Sequence, residues 1–265
     1  MAKTRKHSWW VYLILFFISQ LTAGSLAVIL PRLMPKVAMT STFLMVLVLF
    51  VANALAVLLW LCFRSPSITW QRTIAGVKED KGWRTLLVFL LALPLIVLTN
   101  LGQEVFFPDI PNLLDEQTMM GLIHHPLGLL TVAVLGPLSE ELLFRGGVQH
   151  DLSLHHSDQG WFVPIALTAV FFSVIHLNPA QMPAAFILGC TLGFAYWWTG
   201  SLIAPVCIHV FNNSLVCALA FISPDDDSIV HVLGGPTNAG VLAVICLFFL
   251  VLTLRAIHTE NEHHV

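Results

Sequence analysis

The chain of 265 residues is apolar: 57% of its residues are hydrophobic, 10% are charged, and its mean hydropathy is +0.83. Soluble domains carry about 25% charged residues, so this composition indicates a polytopic membrane protein. A net charge of −3 provides no large basic surface, which excludes nucleic acid as a partner. The five cysteines lie in apolar runs without a CxxC pair, so neither a disulfide framework nor a zinc ribbon is predicted.

Eight apolar runs predict eight transmembrane helices, since one crossing takes about 20 residues. The predicted spans are residues 9–30, 41–63, 86–107, 126–144, 161–177, 183–198, 202–222 and 239–257, of which the sixth is the shortest. The first run has no clear cleavage site, so we expect a retained span and not a signal peptide. The predicted fold is all-α, a polytopic membrane protein with about eight transmembrane helices in one membrane domain, residues 1–265.

The positive charges predict the orientation, because Lys and Arg accumulate in short cytoplasmic loops. With the N-terminus inside, two of the 12 basic residues, Arg32 and Lys36, lie outside, and Arg145 lies within or at the edge of a span. The other nine are cytoplasmic: Lys3, Arg5, Lys6, Arg64, Arg72, Lys78, Lys81, Arg84 and Arg255. The external loops carry the acidic residues Asp109, Asp115, Glu116, Asp225, Asp226 and Asp227. We therefore predict a multi-pass protein of the plasma (inner) membrane with both termini cytoplasmic.

Three charged residues stand in and at the edge of the fourth run, in the sequence GPLSEELLFRGG at residues 136–147. An ionisable group inside a membrane span costs at least a few kcal/mol, so such residues are expected to be paired or functional. On a helix, Glu141 and Arg145 are four residues apart on one face and can neutralise each other. Glu140 points about 100° away and lacks that partner.

Two further runs contain a histidine in apolar surroundings, His176 in VFFSVIHLNP and His209 in APVCIHVFNNS. Asn213 follows His209 by four residues, so the imidazole and the carboxamide can aim at one point. Glycine and proline flank the Glu pair, and proline flanks both histidines. Such residues break transmembrane helices, which is tolerated where the backbone lines a cavity. A water-holding pocket is therefore predicted.

These side chains fit peptide-bond hydrolysis, which needs a base for water and donors for the oxyanion. Glu140 is predicted as the general base, with His176 orienting or polarising the same water. His209 and Asn213 are predicted to donate to the carbonyl oxygen, while Glu141 and Arg145 hold the Glu helix in place. An alternative uses Glu140, His176 and His209 as three ligands of a catalytic zinc, with water in the fourth position. The residues leave both alternatives open.

Three ordered motifs resemble those of the CPBP family, the CAAX proteases and bacteriocin-processing enzymes, also called the Abi family. EExxxR is matched by Glu140, Glu141 and Arg145, FxxxH by Phe172 and His176, and HxxxN by His209 and Asn213, within residues 128–220. The resemblance implies an all-helical intramembrane endopeptidase with the first Glu and the two His central to catalysis. Family members have been described both as metalloproteases and as metal-free glutamate enzymes. The expected substrate is a peptide or lipidated protein within the lipid bilayer, either prenylated (CAAX-type) or bacteriocin-type.

Two other classes of function use the same residues. A secondary transporter or proton pathway would use buried Glu, Arg and His and predicts an inverted repeat, but the polar residues cluster in the second half of the chain. A catalytically inactive membrane scaffold would keep the motifs without turnover. Signatures of other intramembrane proteases, HExxH, GxSG and GxGD, do not occur in the sequence.

Overall fold

The structure, a computed structural model, describes residues 9–33, 41–63, 81–113, 116–155, 160–222 and 228–262. These residues contain helices and no strand, which confirms the predicted all-α class. Much of the charge pattern that predicts cytoplasmic termini lies outside the described residues, namely Lys3, Arg5, Lys6, Lys36, Arg64, Arg72, Lys78, Asp115, Asp225, Asp226 and Asp227.

The described residues form twelve α-helices and two π-helical segments. Before the fourth apolar run they are α1 (Trp10–Leu33), α2 (Ser41–Phe63), α3 (Lys81–Phe106) and α4 (Glu116–His124). The fourth run consists of α5 (Pro126–Leu130), π1 (Thr131–Leu135), α6 (Gly136–Leu143), π2 (Phe144–Gln149) and α7 (His150–His155). The remaining helices are α8 (Phe162–Val174), α9 (Met182–Thr199), α10 (Ile203–Ile222), α11 (Ile229–Val232) and α12 (Pro236–Glu262).

Within the part of the chain that the structure describes, five helical stretches are long and apolar enough to cross a membrane, judged by length and composition: Thr42–Phe63, Gly82–Phe106, Pro126–Leu154, Ile203–Ile222 and Pro236–Glu260. Two shorter apolar helices, Trp10–Ala23 and Phe162–Val174, accompany them. Many large apolar side chains on these helices are exposed, as expected of surfaces that face lipid. The protein is therefore an integral, multi-pass membrane protein.

Two predicted boundaries are wrong. The fourth run does not end near residue 144, because the chain continues as helix through π2 and α7 to His155. The fifth helix ends at Val174 and not at residue 177, because Leu177 adopts the left-handed conformation with φ 51°. His176 therefore lies in the turn that follows α8 and not within a helix.

The chain groups into two compact units. Unit 1 comprises the described residues of Met1–Thr69, Leu114–Pro164 and His209–Cys217. In it α1 packs along α2, α2 also packs against π1 and α6, and α1 packs against π2. The α2–α6 contact includes a hydrogen bond of 2.5 Å from Ser139 Oγ to Asn53 Oδ1. Glycine at position 147 permits the α1–π2 contact, since a Cβ there would lie 2.5 Å from Cγ of the buried Tyr12 ring.

Unit 2 comprises the described residues of Trp70–Leu113, Ile165–Ile208 and Ala218–Val265. Its centre is α3, which packs against α12 and α9. At the start of α3, Arg84 lies 3.8 Å from Glu260 and 5.6 Å from the ring centroid of Trp198. Near the end of α3, Glu104 accepts hydrogen bonds from Ser228 Oγ and from backbone N–H groups that begin α11. Contacts of a charged side chain therefore hold each end of α3 in place.

Candidate active site

The two neighbouring glutamates lie on α6, which is bounded on both sides by π-helical segments. Pro137 stands in the first turn of α6 and contributes no backbone N–H. π-Helical turns are rare and occur frequently at functional sites. The local backbone therefore marks this stretch of unit 1 as the candidate site.

Glu141 forms a buried ion pair with Arg145. Arg145 Nη1 donates to Glu141 Oε1 at 3.2 Å, and both side chains are 0% exposed. This confirms the predicted pairing of the two residues. Removing one partner of a buried pair leaves an uncompensated charge and costs about 3–5 kcal/mol, so the pair holds α6 and π2 in a defined geometry.

His209 contacts both glutamates through its two ring nitrogens. Nδ1 lies 2.9 Å from Glu141 Oε1, and Nε2 lies 3.9 Å from Glu140 Oε2. The same oxygen atom of Glu141, Oε1, accepts from Arg145 Nη1, and a carboxylate oxygen accepts a hydrogen bond. The Nδ1 atom of His209 must therefore carry a proton and donate it to Glu141, which directs Nε2 towards Glu140.

The hydrogen bond between His209 and Glu141 was not predicted from the sequence. The spacing of residues within each helix gives the face on which a side chain lies, but not which of two adjacent carboxylates meets a histidine 68 residues away. The structure brings Glu140, Glu141, Arg145 and His209 together in unit 1. Only Glu140 of the two glutamates is partly accessible, with its side chain 22% exposed.

Asn213 lies four residues after His209 on α10 and contacts the backbone of π1. Its Nδ2 atom donates to the carbonyl oxygen of Val132 at 3.0 Å, and its Oδ1 atom accepts a hydrogen bond from Asn212 Nδ2 at 3.1 Å. One of the two amide hydrogens of Asn213 is therefore used for the backbone. The predicted donation by Asn213 to an oxyanion remains a prediction for the second hydrogen.

His176 belongs to unit 2, where its ring is held by the end of α8. Nδ1 lies 2.7 Å from the carbonyl oxygen of Phe172, and the two rings pack edge to face with centroids 5.0 Å apart. A carbonyl oxygen can only accept, so Nδ1 carries the proton. Nε2 of the neutral ring is then a proton acceptor, which suits either a water ligand or a metal.

The turn after His176 is held by polar side chains that were not predicted from the sequence. Asn178, which is buried, accepts a hydrogen bond from Leu113 N–H and donates one to Asn112 Oδ1. Gln103 Nε2 donates to the carbonyl oxygen of Ala180 at 2.5 Å. A signal for Asn178 exists in the sequence, since an Asn directly after an apolar helix and before Pro179 is typical of a structured turn.

The zinc alternative names Glu140, His176 and His209 as the three protein ligands. A catalytic zinc takes three protein ligands at about 2.0–2.2 Å and keeps one position for water. Glu140 and His209 offer two donor atoms 3.9 Å apart. Among the residues that the structure describes, no three His, Cys, Asp or Glu side chains are grouped closely enough to hold a metal ion. Zinc therefore stays a prediction, and no chemical step is assigned to a metal.

Comparison with known proteins connects this part of the chain to a protease family. Residues 123–215 match the family model of type II CAAX prenyl endopeptidases, Rce1-like, and this range contains all six predicted site residues. The chain is 27% identical over 137 residues to the membrane-embedded CAAX protease MroQ of Staphylococcus aureus (strain USA300). The alignment covers 49% of this chain and 52% of that relative, so the chain spans about half the length of the curated relative that it matches. No solved structure matches the chain.

Proposed function

We propose that this chain, which belongs to the CPBP family of CAAX proteases and bacteriocin-processing enzymes, is an intramembrane endopeptidase that uses Glu140 to activate water. The observation that carries the proposal is the position of His209 between two carboxylates, 2.9 Å from Glu141 and 3.9 Å from Glu140. A carboxylate beside an oriented histidine supplies both a base and a donor, the two groups that peptide hydrolysis requires.

The two glutamates have different roles because their surroundings differ. Glu141 is fully buried and already accepts hydrogen bonds from Arg145 and His209. Glu140 is partly exposed and has no such ion pair with Arg145, so it is the carboxylate that can reach a water molecule. It takes a proton from this water while the oxygen adds to the scissile carbonyl carbon. Glu140 then returns the proton to the leaving nitrogen as the C–N bond breaks.

His209 is assigned to the oxyanion of the tetrahedral intermediate. Its Nδ1 proton is used for Glu141, so Nε2 donates a hydrogen bond when the ring is an imidazolium. The carboxylate of Glu141 stabilises this cation, as the acidic residue does for the histidine of a catalytic triad. The second amide hydrogen of Asn213 is assigned to the same oxyanion.

His176 is assigned to the water molecule. Its match to the FxxxH motif supports a catalytic role, and its hydrogen bond to Phe172 leaves Nε2 as an acceptor. An acceptor of this kind can take a hydrogen bond from the attacking water, which is the role proposed for His176. This assignment accounts for the FxxxH motif: Phe172, one turn earlier, supplies both the carbonyl that fixes the tautomer and the ring against which the imidazole packs.

The proposed substrate is a membrane peptide or a lipidated protein. The names of the matching family and of MroQ support a prenylated, CAAX-type sequence, and a bacteriocin-type peptide is the alternative within the CPBP family. The excess of Lys and Arg in the predicted inner loops supports a plasma (inner) membrane protein with both termini cytoplasmic.

The experiment that tests this function is cleavage by the purified protein in liposomes. Three peptides are compared: a prenylated CAAX peptide, the same peptide without the prenyl group, and a bacteriocin precursor. We expect cleavage of at least one, and loss of cleavage in Glu140→Ala at unchanged protein yield. Cleavage that persists in this variant contradicts the assigned base. A chelator arm separates the two chemistries, because a zinc enzyme loses activity with chelator and regains it with zinc.

A further inference from the structure

The backbone of π1 contains a carbonyl group that no backbone N–H can satisfy. In the π register each carbonyl accepts from the residue five positions later, as Thr131 does from Gly136. The corresponding donor for Val132 is residue 137, which is a proline and has no N–H. The donor in the α register is Gly136, whose N–H already binds Thr131. Val132 therefore needs a hydrogen-bond donor from elsewhere.

Asn213 supplies that donor. Its Nδ2 atom lies 3.0 Å from the carbonyl oxygen of Val132, and its Oδ1 atom is held by Asn212. An unsatisfied carbonyl is costly in the interior of a membrane protein, where water does not replace the missing donor. Pro137 thus removes the backbone donor for Val132, and the side-chain amide of Asn213 replaces it.

The arrangement connects the two segments that carry the catalytic side chains. Asn213 lies one helical turn beyond His209 on α10, and Val132 lies two turns before Glu140 and Glu141. The bonds Asn213–Val132 and His209–Glu141 therefore join the same two segments at two separate points. Two such points fix both the spacing and the rotation of one segment against the other.

We propose that Asn213 is a positioning residue for Glu140, which satisfies the carbonyl left open by Pro137 and so sets the geometry between α6 and His209. The activity part of this inference rests on the proposed function, whereas the hydrogen-bond exchange does not. Pro137, which lies outside the three motifs, therefore has a defined role. Alanine at position 137 is expected to replace the Asn213 amide, because its backbone N–H reaches Val132 in the π register.

The test compares Asn213→Ala, Pro137→Ala and the double variant, each purified in the same detergent. Asn213→Ala is expected to lower Tm by roughly 3–8 °C, since one buried acceptor loses its donor. Pro137→Ala alone is expected to change Tm by about 2 °C or less. The double variant is expected to recover most of the loss. Asn212→Ala, which leaves the bond to Val132 in place, serves as the matched control and is expected to stay near the parent.

Kinetics separate positioning from a purely structural role. Asn213→Ala is expected to lower kcat at least 100-fold with KM nearly unchanged, because Glu140 is misplaced and the oxyanion loses one donor while the substrate still binds. The double variant is expected to recover at least tenfold of this loss through restored positioning, but not the share caused by the missing oxyanion donor. If both variants fail to yield folded protein, or if Tm and kcat losses are simply additive, the inference is wrong. If the parent cleaves no peptide while the double variant recovers Tm, the proposed function fails and the role of Asn213 at Val132 stands.

Discussion

Glu140 and Glu141 are adjacent, but Glu141 is fully buried and Glu140 is partly exposed, so we expect the same substitution to affect stability very differently at the two positions. Glu141→Gln leaves the fully buried Arg145 without a counter-charge, whereas Glu140→Gln changes a partly exposed side chain whose contact with His209, at 3.9 Å, exceeds hydrogen-bond distance. An unpaired buried charge costs about 3–5 kcal/mol. For a chain of this size that corresponds to a fall in Tm of roughly 6–20 °C for Glu141→Gln. For Glu140→Gln we expect a change of about 2 °C or less.

The assay is thermal unfolding followed by the fluorescence of the eight tryptophans, with cleavage measured on the same samples. Glu140→Gln is expected to be inactive and stable, and Glu141→Gln to be unstable. Adding Arg145→Met to Glu141→Gln removes the orphaned charge and is expected to recover most of the Tm without recovering activity. Equal Tm values for the two single variants, or a larger loss in Glu140→Gln, would refute the reasoning.

Two further substitutions test the packing around the site and the turn that holds His176. Gly147→Ala places a Cβ against the buried Tyr12 ring and is expected to lower the free energy of unfolding by about 1–3 kcal/mol. Gly240→Ala places its Cβ in open space on a helix and is expected to leave stability unchanged or raise it. A comparison of the two Tm values checks both expectations. Asn178→Ala removes two hydrogen bonds from the turn after His176 and is expected to lower kcat at least tenfold. Asn178→Asp keeps the oxygen that accepts from Leu113 N–H, so a smaller fall in kcat is expected. Equal falls in kcat for the two variants would contradict this role of Asn178.

The helices could be predicted well because the cost of burying polar backbone in lipid makes apolar runs helical. The predicted second span, residues 41–63, coincides with α2, and the seventh, residues 202–222, begins one residue before α10. The π segments could not be read from apolar periodicity, since stretches of five and six residues are too short to show a period of their own. The proline at residue 137 is a signal of a break, but it does not specify that the backbone before it shifts to five-residue hydrogen bonds.

The candidate site was predictable in its members and not in its hydrogen bonds. The pairing of Glu141 with Arg145 follows from their spacing, because four residues place them on one helical face. The bonds of His209 to Glu141 and of Asn213 to Val132 join residues 68 and 81 positions apart. They depend on how two helices pack, which no spacing within one helix determines. The same holds for Asn178, whose partner Asn112 lies 66 positions away.

The most direct test of the central claim is the rate at which parent and Glu140→Gln cleave one fluorogenic membrane peptide at matched concentrations, with Tm measured on the same preparations. If Glu140 beside His209 activates the water, the variant is expected to lose at least about 1,000-fold in rate while its Tm stays within about 2 °C of the parent. A stable Glu140→Gln variant that retains more than a tenth of the parent rate would contradict the account.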